Sequence, residues 1–333
     1  MKALLSLTTG GPETLELRDA ADPLAGPGEV VIAVRACGIN FLDTLIVIDQ
    51  YQAKPPRPFS PGAEVAGTIA AIGEGVSGWS IGDRVIGFPP YGGLAEQVAV
   101  EARRLFVLPD GVSFAEGAGL LIPYGTAIHA LKDKARVKPG ESLLVLGAGG
   151  GAGLSAVELG KALGLRVIGA VSDEAKADAA RAAGADEVVL YGRPPFDRDQ
   201  SRTLTQAFRA ACGGDGANIV YDAVGGGYAE PALRAMAWGG RYLVIGFTAG
   251  IPALPFNLAL LKSIDICGVF YGGFVEQDPA HNRVLCAELL TLAAEGRISA
   301  HVNHTYPLER GGDAIALLSA RAAIGKVVVT IGD

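Results

Sequence analysis

From Glu141 to about Val269 the chain alternates short β-branched runs with Gly-led, Ala-rich amphipathic stretches, the pattern of repeating β-α-β units. The runs predict strands over Ser142–Leu146, Arg166–Val171, Glu187–Leu190, Ile219–Asp222, Tyr242–Ile245 and Ile266–Val269. Helices are expected between them, at about Gly153–Leu163, Glu174–Ala183, Thr203–Ala211 and Ala229–Ala235. Buried strands joined by crossover helices imply a doubly wound parallel sheet, with its ligand beyond the carboxyl ends of the strands.

Residues 1–120 are patterned differently. Strands such as Glu29–Ala36, Glu64–Ile72 and Arg84–Phe88 are separated by Gly- and Pro-rich turns, for instance Leu24-Ala25-Gly26-Pro27-Gly28, which predicts a mainly β unit. The end of the chain adds one amphipathic helix, at about Asn282–Glu295, and one strand, Lys326–Ile331. That is too little for a domain of its own, so it is expected to pack back on the N-terminal unit. The expected organisation is a mainly β domain over 1–122, an inserted α/β domain over 123–261, and a return to the first over 262–333, with a cleft between the two.

Composition agrees with two cores. The 333 residues exceed the roughly 250 to 300 at which single cores stop growing, and 50% are hydrophobic against 19% charged, which leaves little reason to expect disorder. No stretch approaches the ~20 consecutive apolar residues of a membrane helix. The opening Met1–Leu7 starts like a signal peptide but is cut short by Thr8, Thr9, Gly10, Gly11 and Pro12, so a first β-strand and a cytoplasmic location are expected. Cys37, Cys212, Cys267 and Cys286 are dispersed, as reduced thiols are. A net charge of −7 without a basic cluster argues against a nucleic-acid partner.

The strand Ser142–Leu146 runs straight into Gly147-Ala148-Gly149-Gly150-Gly151-Ala152-Gly153. Glycine permits a tight turn, lets the backbone approach a pyrophosphate, and lets helix and strand pack together. The helix behind it supplies N–H groups and partial positive charge for phosphates, so a dinucleotide site is expected here. Two registers fit: Gly147-x-Gly149-x-x-Ala152, and Ala148-x-Gly150-x-x-Gly153 with Ala in the first place.

Cofactor choice turns on the end of the second strand, where an acidic residue would take the adenosine ribose hydroxyls and repel a 2′-phosphate. Val171 is followed by Ser172, Asp173, Glu174, Ala175 and Lys176. With Ser172 at the strand end there is room for the phosphate, and Lys176, one turn on, supplies charge. With Asp173 on the ribose, NADH is preferred. Asp173 as a helix N-cap leaves the phosphate pocket intact, and NADPH is the expected cofactor.

Several ordered motifs together resemble the zinc-independent quinone oxidoreductases of the medium-chain dehydrogenase/reductase superfamily. Gly38-Ile39-Asn40-Phe41-Leu42-Asp43-Thr44 is similar to that family's active-site loop. Pro61-Gly62-Ala63-Glu64-Val65-Ala66-Gly67, Gly82-Asp83-Arg84-Val85, the glycine run ending at Gly153, Val220-Tyr221-Asp222-Ala223-Val224-Gly225-Gly226 and Gly325-Lys326-Val327-Val328 are similar as well. The resemblance implies a doubly wound Rossmann domain inserted into a GroES-like, mainly β catalytic domain, and a homodimer joined edge to edge through the nucleotide-binding sheets. In zinc-dependent relatives the loop matching Asn40 carries Cys, and the segment matching Ala63-Glu64 reads His-Glu. Neither ligand is present here, so no zinc is expected.

Carried over by position, the resemblance implies nicotinamide-facing residues at Asn40, Leu42 and Thr126, and 2′-phosphate contacts at Ser172, Lys176 and Tyr191. Backbone contacts to the dinucleotide fall on Gly150, Gly151, Ala152, Val224, Gly246, Phe247, Phe270 and Tyr271, and Lys326 is expected to reach toward the cofactor. Tyr51 matches a substrate-side tyrosine. Leu45 and Phe270 stand where some members carry Tyr and Arg, which makes the substrate pocket more apolar.

The expected reaction is hydride transfer from NADPH to a quinone or conjugated enone, with Asn40 and Tyr51 donating hydrogen bonds to the acceptor oxygen. On the residues alone Asn40 could instead bond its own loop, Tyr51 could be a packing aromatic, and Asp43 and Glu64 read as buried structural carboxylates. The alternatives are an enoyl-thioester or small enone reductase on the same machinery, and a low-turnover nucleotide-binding redox sensor.

Overall fold

The computed structural model describes residues 1–332. The chain divides into two compact units, one built from residues 1–122 and from Cys286 onward, the other from Pro123–Leu285.

In the first unit β1 (Lys2–Ser6) and β2 (Leu15–Asp19) form an antiparallel ribbon. The long strand β3 (Glu29–Ile39) leads into a short helix α1 (Phe41–Ile46), followed by β4 (Val65–Ile72), β5 (Arg84–Gly87), β6 (Gln97–Glu101) and β7 (Leu105–Val107). Helix α2 (Phe114–Gly117) follows, and α3 (Leu121–Ile128) carries the chain into the second unit, which begins at Pro123. Inward positions alternate along these strands, as in Val98 and Val100 of β6, and Val30, Ile32, Val65, Ile69 and Val85 build the core. Burial of such a face stabilises it by about 25 cal/mol per Å² of apolar surface.

In the second unit a π-helical stretch, His129–Lys134, precedes β8 (Ser142–Leu146), α4 (Gly151–Ala162), β9 (Arg166–Val171), α5 (Glu174–Ala182) and β10 (Glu187–Leu190). Then come α6 (Arg198–Ala211), β11 (Ala217–Asp222), α7 (Ala229–Arg234), β12 (Met236–Val244), α8 (Asn257–Lys262), β13 (Asp265–Gly268) and α9 (Tyr271–Gln277), and α10 (Pro279–Ala294) carries the chain back into the first unit at Cys286. The sheet order is β10-β9-β8-β11-β12-β13, parallel throughout. Strand order reverses between β8 and β11, the topological switch at which doubly wound sheets take ligands.

Chain reversals follow their local chemistry. Helix α6 begins at Arg198, five residues before its predicted start, because Asp197 and Gln200 form a reciprocal capping box over a polar first turn. The second unit runs to Leu285, beyond the expected end at residue 261. Residues Arg241–Val244 pair with Asp265–Gly268 in register, so β13 is the sixth strand of the parallel sheet, and the first unit resumes only at Cys286. There β14 (Val302–Pro307), α11 (Gly311–Ser319) and β15 (Lys326–Thr330) complete a sheet of order β14-β15-β3-β4-β5-β7, with β6 also on β3. The architecture is the doubly wound α/β domain inserted in a mainly β domain that the pattern predicts.

Candidate functional site

Strand β8 is buried along its whole length and turns at Gly147, whose φ of +75° is a conformation side chains disfavour. The amides of Gly147 and Ala148 donate to the Ala170 carbonyl at 3.0 and 3.2 Å, and Gly150 N–H donates back to Gly147 O at 3.1 Å. Helix α4 then starts with Gly150 as a cap residue that makes no side-chain cap bond, so its first-turn amides are left for an outside acceptor. At Gly153 a β-carbon would lie 2.1 Å from Gly147 O and 2.7 Å from Ala148 Cα. The tight-turn role thus falls on Gly147 and the helix-packing role on Gly153. Each of the two sequence registers holds one of these positions.

At the end of β9 the question posed by Asp173 is answered by its hydrogen bonds. Asp173 Oδ1 accepts the Lys176 amide at 3.0 Å, and Oδ2 accepts the Ser172 hydroxyl at 2.8 Å. The carboxylate is therefore the N-cap of α5. Burial raises and these bonds lower its pKa, and the net result lies below the usual carboxylate value. Lys176 Nζ donates to Ser172 Oγ at 3.3 Å, and a β-carbon on Gly149 would fall 2.5 Å from Lys176 Cβ. Gly149 thus lets the Lys176 stem cross directly over the glycine turn. Tyr191 is buried and stacks obliquely on Tyr228 at 4.4 Å.

The carboxyl ends of β11 and β12 meet the same turn. A β-carbon on Gly147 would lie 2.8 Å from Val224 Cγ2. Val224 is held by Asp222, whose Oδ1 accepts the Val224 and Gly225 amides at 2.8 Å each while Oδ2 accepts the Tyr242 hydroxyl at 2.5 Å. Burial raises the Asp222 carboxyl above its ordinary value, against these three bonds. Gly246 N–H donates to Asp222 O at 3.2 Å, and Phe247 beside it is exposed. Phe270 is exposed at the start of α9, and the ring of buried Tyr271 lies 2.3 Å from where a Gly125 β-carbon would be. That contact packs the end of the Tyr271 ring on α3 at Gly125, the residue before Thr126. Helix α3 is tied to α4 by a hydrogen bond from Tyr124 to Glu158.

In the first unit, Asn40 caps α1 at the end of β3. Its Oδ1 accepts from Lys326 Nζ at 2.8 Å, and its Nδ2 donates to Glu64 Oε2 at 3.0 Å and Gly38 O at 3.2 Å. An ammonium only donates, which fixes the amide with Oδ1 toward Lys326 and leaves Nδ2 without a further N–H. Asn40, expected as a donor to the acceptor oxygen, is therefore fully engaged by its own unit. Lys326, expected to reach toward the cofactor, is buried and bonds Glu64 Oε2 at 2.8 Å as well. Glu64 is completely buried, and its Oε1 accepts the Ile122 amide at 3.0 Å. Asp43 accepts the Asn40 amide at 2.8 Å and the Gly62 amide at 3.0 Å. Burial pushes its carboxyl up to about 6 against those bonds.

Leu42 lies half-buried in α1, and Tyr51, also half-buried, packs on the Ile46, Val47 and Phe59 cluster. Burial, with Asp43 adding, pushes the Tyr51 phenol up, and its hydroxyl makes no hydrogen bond among the described residues. No group of three or more His, Cys, Asp or Glu among the described residues could hold a metal ion. Sequence reading missed the Asp222 brace and the Lys326–Asn40 bond, the latter joining residues 286 positions apart. A carboxylate at the end of a strand, three residues before the Gly225-Gly226 pair, was the available signal for Asp222.

Comparison with known proteins agrees with this geometry. Residues 26–110 match the alcohol dehydrogenase GroES-like domain, and residues 151–285 match the zinc-binding dehydrogenase family. The chain is 36% identical to quinone oxidoreductase-like protein 2 of Rattus norvegicus over 96% of this chain and 89% of that one. A mycobacterial structure complexed with NADPH superposes with a TM-score of 0.91 at 32% identity, covering 99% of this chain and all (100%) of the other. Escherichia coli quinone oxidoreductase complexed with NADPH gives a TM-score of 0.88 at 28% identity, with 99% and 100% covered. With its two domain matches, its glycine turn and its whole-length relatives, the chain belongs to the zinc-independent quinone oxidoreductase family of the medium-chain dehydrogenase/reductase superfamily.

Proposed function

We propose that this protein is an NADPH-dependent reductase of quinones or conjugated enones that works without a metal. The observation carrying the reading is the junction of the glycine turn with Ser172 and Lys176, where uncapped α4 amides and a lysine converge while Asp173 is retained by its own helix. The residues that would hold the cofactor are Gly150, Gly151 and Ala152 at the diphosphate, Ser172, Lys176 and Tyr191 at the 2′-phosphate, and Val224, Gly246 and Phe247 along the strand ends. Thr126, Phe270 and Tyr271, with Asn40 and Leu42, are assigned by position to the nicotinamide half. When bound, NADPH supplies a hydride.

The chain's own residues then have three tasks. The Tyr51 hydroxyl donates to the acceptor oxygen as negative charge develops there, a preorganised electrostatic stabilisation. Lys326 and Glu64 fix the Asn40 amide rather than touch substrate. Asp43 braces the same loop. A hydroquinone or enolate is a far weaker base than an alkoxide, so no metal is needed to stabilise it. A zinc ion does not fit the donors present: Ala63 has none, Asn40 Oδ1 accepts from an ammonium, and Glu64 already pairs with that cation.

Oxidation of NADPH by 9,10-phenanthrenequinone in a single turnover tests the reaction, with simple enones and enoyl-CoA thioesters as competing acceptors. Persistence of the reduced-cofactor absorbance with every acceptor would leave only a binding protein. Lys176→Ala is expected to weaken NADPH binding by about ten- to a hundredfold, the worth of one charged hydrogen bond, and to leave NADH binding unchanged. Equal affinity of the parent protein for the two cofactors would refute the phosphate pocket.

The protein is further proposed to be a cytoplasmic homodimer. None of the four cysteines is in a disulfide, which supports a reducing compartment, and no helix among the described residues is long and apolar enough to cross a membrane. β13 pairs on one side only, and exposed Trp238, Phe256, Leu260 and Leu261 lie on neighbouring elements of the same unit. An unpaired edge beside apolar surface is a pairing site. Light scattering should give the mass of two chains, and of one for Leu260→Asp combined with Leu261→Asp. A monomeric parent protein would refute this.

A further inference from the structure

The second unit contains a histidine–carboxylate cluster, with His129 buried and Asp133 and His281 partly exposed, that the proposed chemistry does not use. Beyond α3 the helix widens into its π-helical stretch, with Ala135 N–H donating to Ala130 O at 2.9 Å, a rare distortion that is frequent at functional sites. It carries His129 and Asp133, whose Nδ1 and Oδ2 are 2.7 Å apart. The other oxygen of Asp133 lies 3.0 Å from Nε2 of His281, 148 residues along the chain. The Phe274 ring stacks on His129 at 3.9 Å and 14°, and meets His281 edge-on at 5.8 Å. Burial lowers the His129 pKa although Asp133 opposes it, whereas the bond to Asp133 raises that of the more exposed His281. Asp133 thus bonds a histidine on its own helix and one on the distant segment.

The same distant segment is pinned a second time. Tyr271 Oη donates to Oδ1 of buried Asn282 at 2.8 Å, and the Tyr271 ring covers Gly125, where no β-carbon would fit. Residues Tyr271 to Asn282 are therefore fastened to one stretch, Gly125 to Asp133, at both ends. Thr126 lies inside that stretch, and Phe270 immediately precedes the segment.

We infer that Asp133 is a positioning residue: by bridging His129 to His281 it holds Tyr271 against Gly125 and so sets the distance between Thr126 and the Phe270–Tyr271 backbone. The inference rests on the assignment of those residues to the nicotinamide half of the cofactor, and it extends the site to three side chains that touch neither cofactor nor substrate. A misplacement of this kind costs rate steeply, up to roughly a hundredfold for about 1 Å.

The test compares the intact cofactor with a fragment lacking nicotinamide. In the full-length protein, Asp133→Ala and His281→Ala are expected to weaken NADPH binding and to lower quinone turnover by about tenfold or more, while 2′,5′-ADP binds as in the parent. His281→Gln, whose amide can still donate to Asp133, is expected to restore both. NADPH affinity and turnover unchanged from the parent would overturn the inference, and so would equal losses for NADPH and 2′,5′-ADP, which is the signature of a merely structural cluster. Failure of the parent itself to bind 2′,5′-ADP would instead remove the NADPH reading. The two failures are thereby separable.

Discussion

Lys326→Met is expected to destabilise the first unit by about 3 to 5 kcal/mol, a large share of the roughly 5 to 15 kcal/mol available to a domain. The cause lies with the partner that remains. Glu64 is 0% exposed, and without the ammonium its carboxylate keeps only the Asn40 and Ile122 N–H groups, too little for a charge removed from water. Combining Lys326→Met with Glu64→Gln should recover most of the loss, because a neutral amide can serve the Ile122 amide and Asn40 without a countercharge. The chain has two tryptophans, Trp79 and Trp238, one in each unit. In a Trp238→Phe background, Trp79, packed on the first unit's core, reports that unit's urea unfolding alone. A single variant losing less than about 1 kcal/mol, the range of an exposed pair, would show that the pair is not buried in solution.

The second large effect is expected at Gly153. A methyl group there meets Gly147 O at 2.1 Å and Ala148 Cα at 2.7 Å, both backbone atoms that cannot rotate away, so α4 must move off the turn. Overpacking of this kind costs about 1 to 3 kcal/mol. Displacing two of the α4 amides proposed to bind phosphate, each a charged hydrogen bond of about 1.5 kcal/mol, is expected to lower NADPH affinity roughly a hundredfold. Gly150→Ala is the matched control for stability, since a methyl group there has only Gly147 O near it, at 3.8 Å. Calorimetry and cofactor titration of the two variants decide the matter. Equal stability and equal NADPH affinity of Gly153→Ala and the parent would mean that the turn does not pack as described.

Much of the fold was legible because its signals are local. β8, β9 and β10 occupy the predicted residues, since a short β-branched run between Gly-led segments has one simple solution in a parallel sheet. The short helices α1, α8 and α9 were not predicted, whereas α7, as short as α1, was read from its Ala-rich run in the β-α-β alternation. In the site, the glycine turn could be read from types and spacing, but the state of Asn40 could not. Its amide is engaged by Lys326 and Glu64, which lie 286 and 24 positions away, and no local pattern encodes that meeting. The His129–Asp133 pair has helical spacing, yet its third member is 148 residues distant from Asp133. Asp173 was ambiguous for another reason: cap and ribose ligand call for the same residue type at nearly the same position.

The place of β15 also bears on how the chain is made. This strand lies between β14 and β3 in its sheet, parallel to the one and antiparallel to the other. Synthesis proceeds at about 5 to 20 residues per second, and everything that forms the second unit has emerged before Lys326 is added. The nascent chain can therefore finish its later-starting unit first, while β3, already joined by β4 and β6, waits with its Ala36–Ile39 end unpaired on the β15 side and Glu64 without its cation. Until the last strand arrives, that half-built sheet is the part of the newborn protein most in need of protection from other chains.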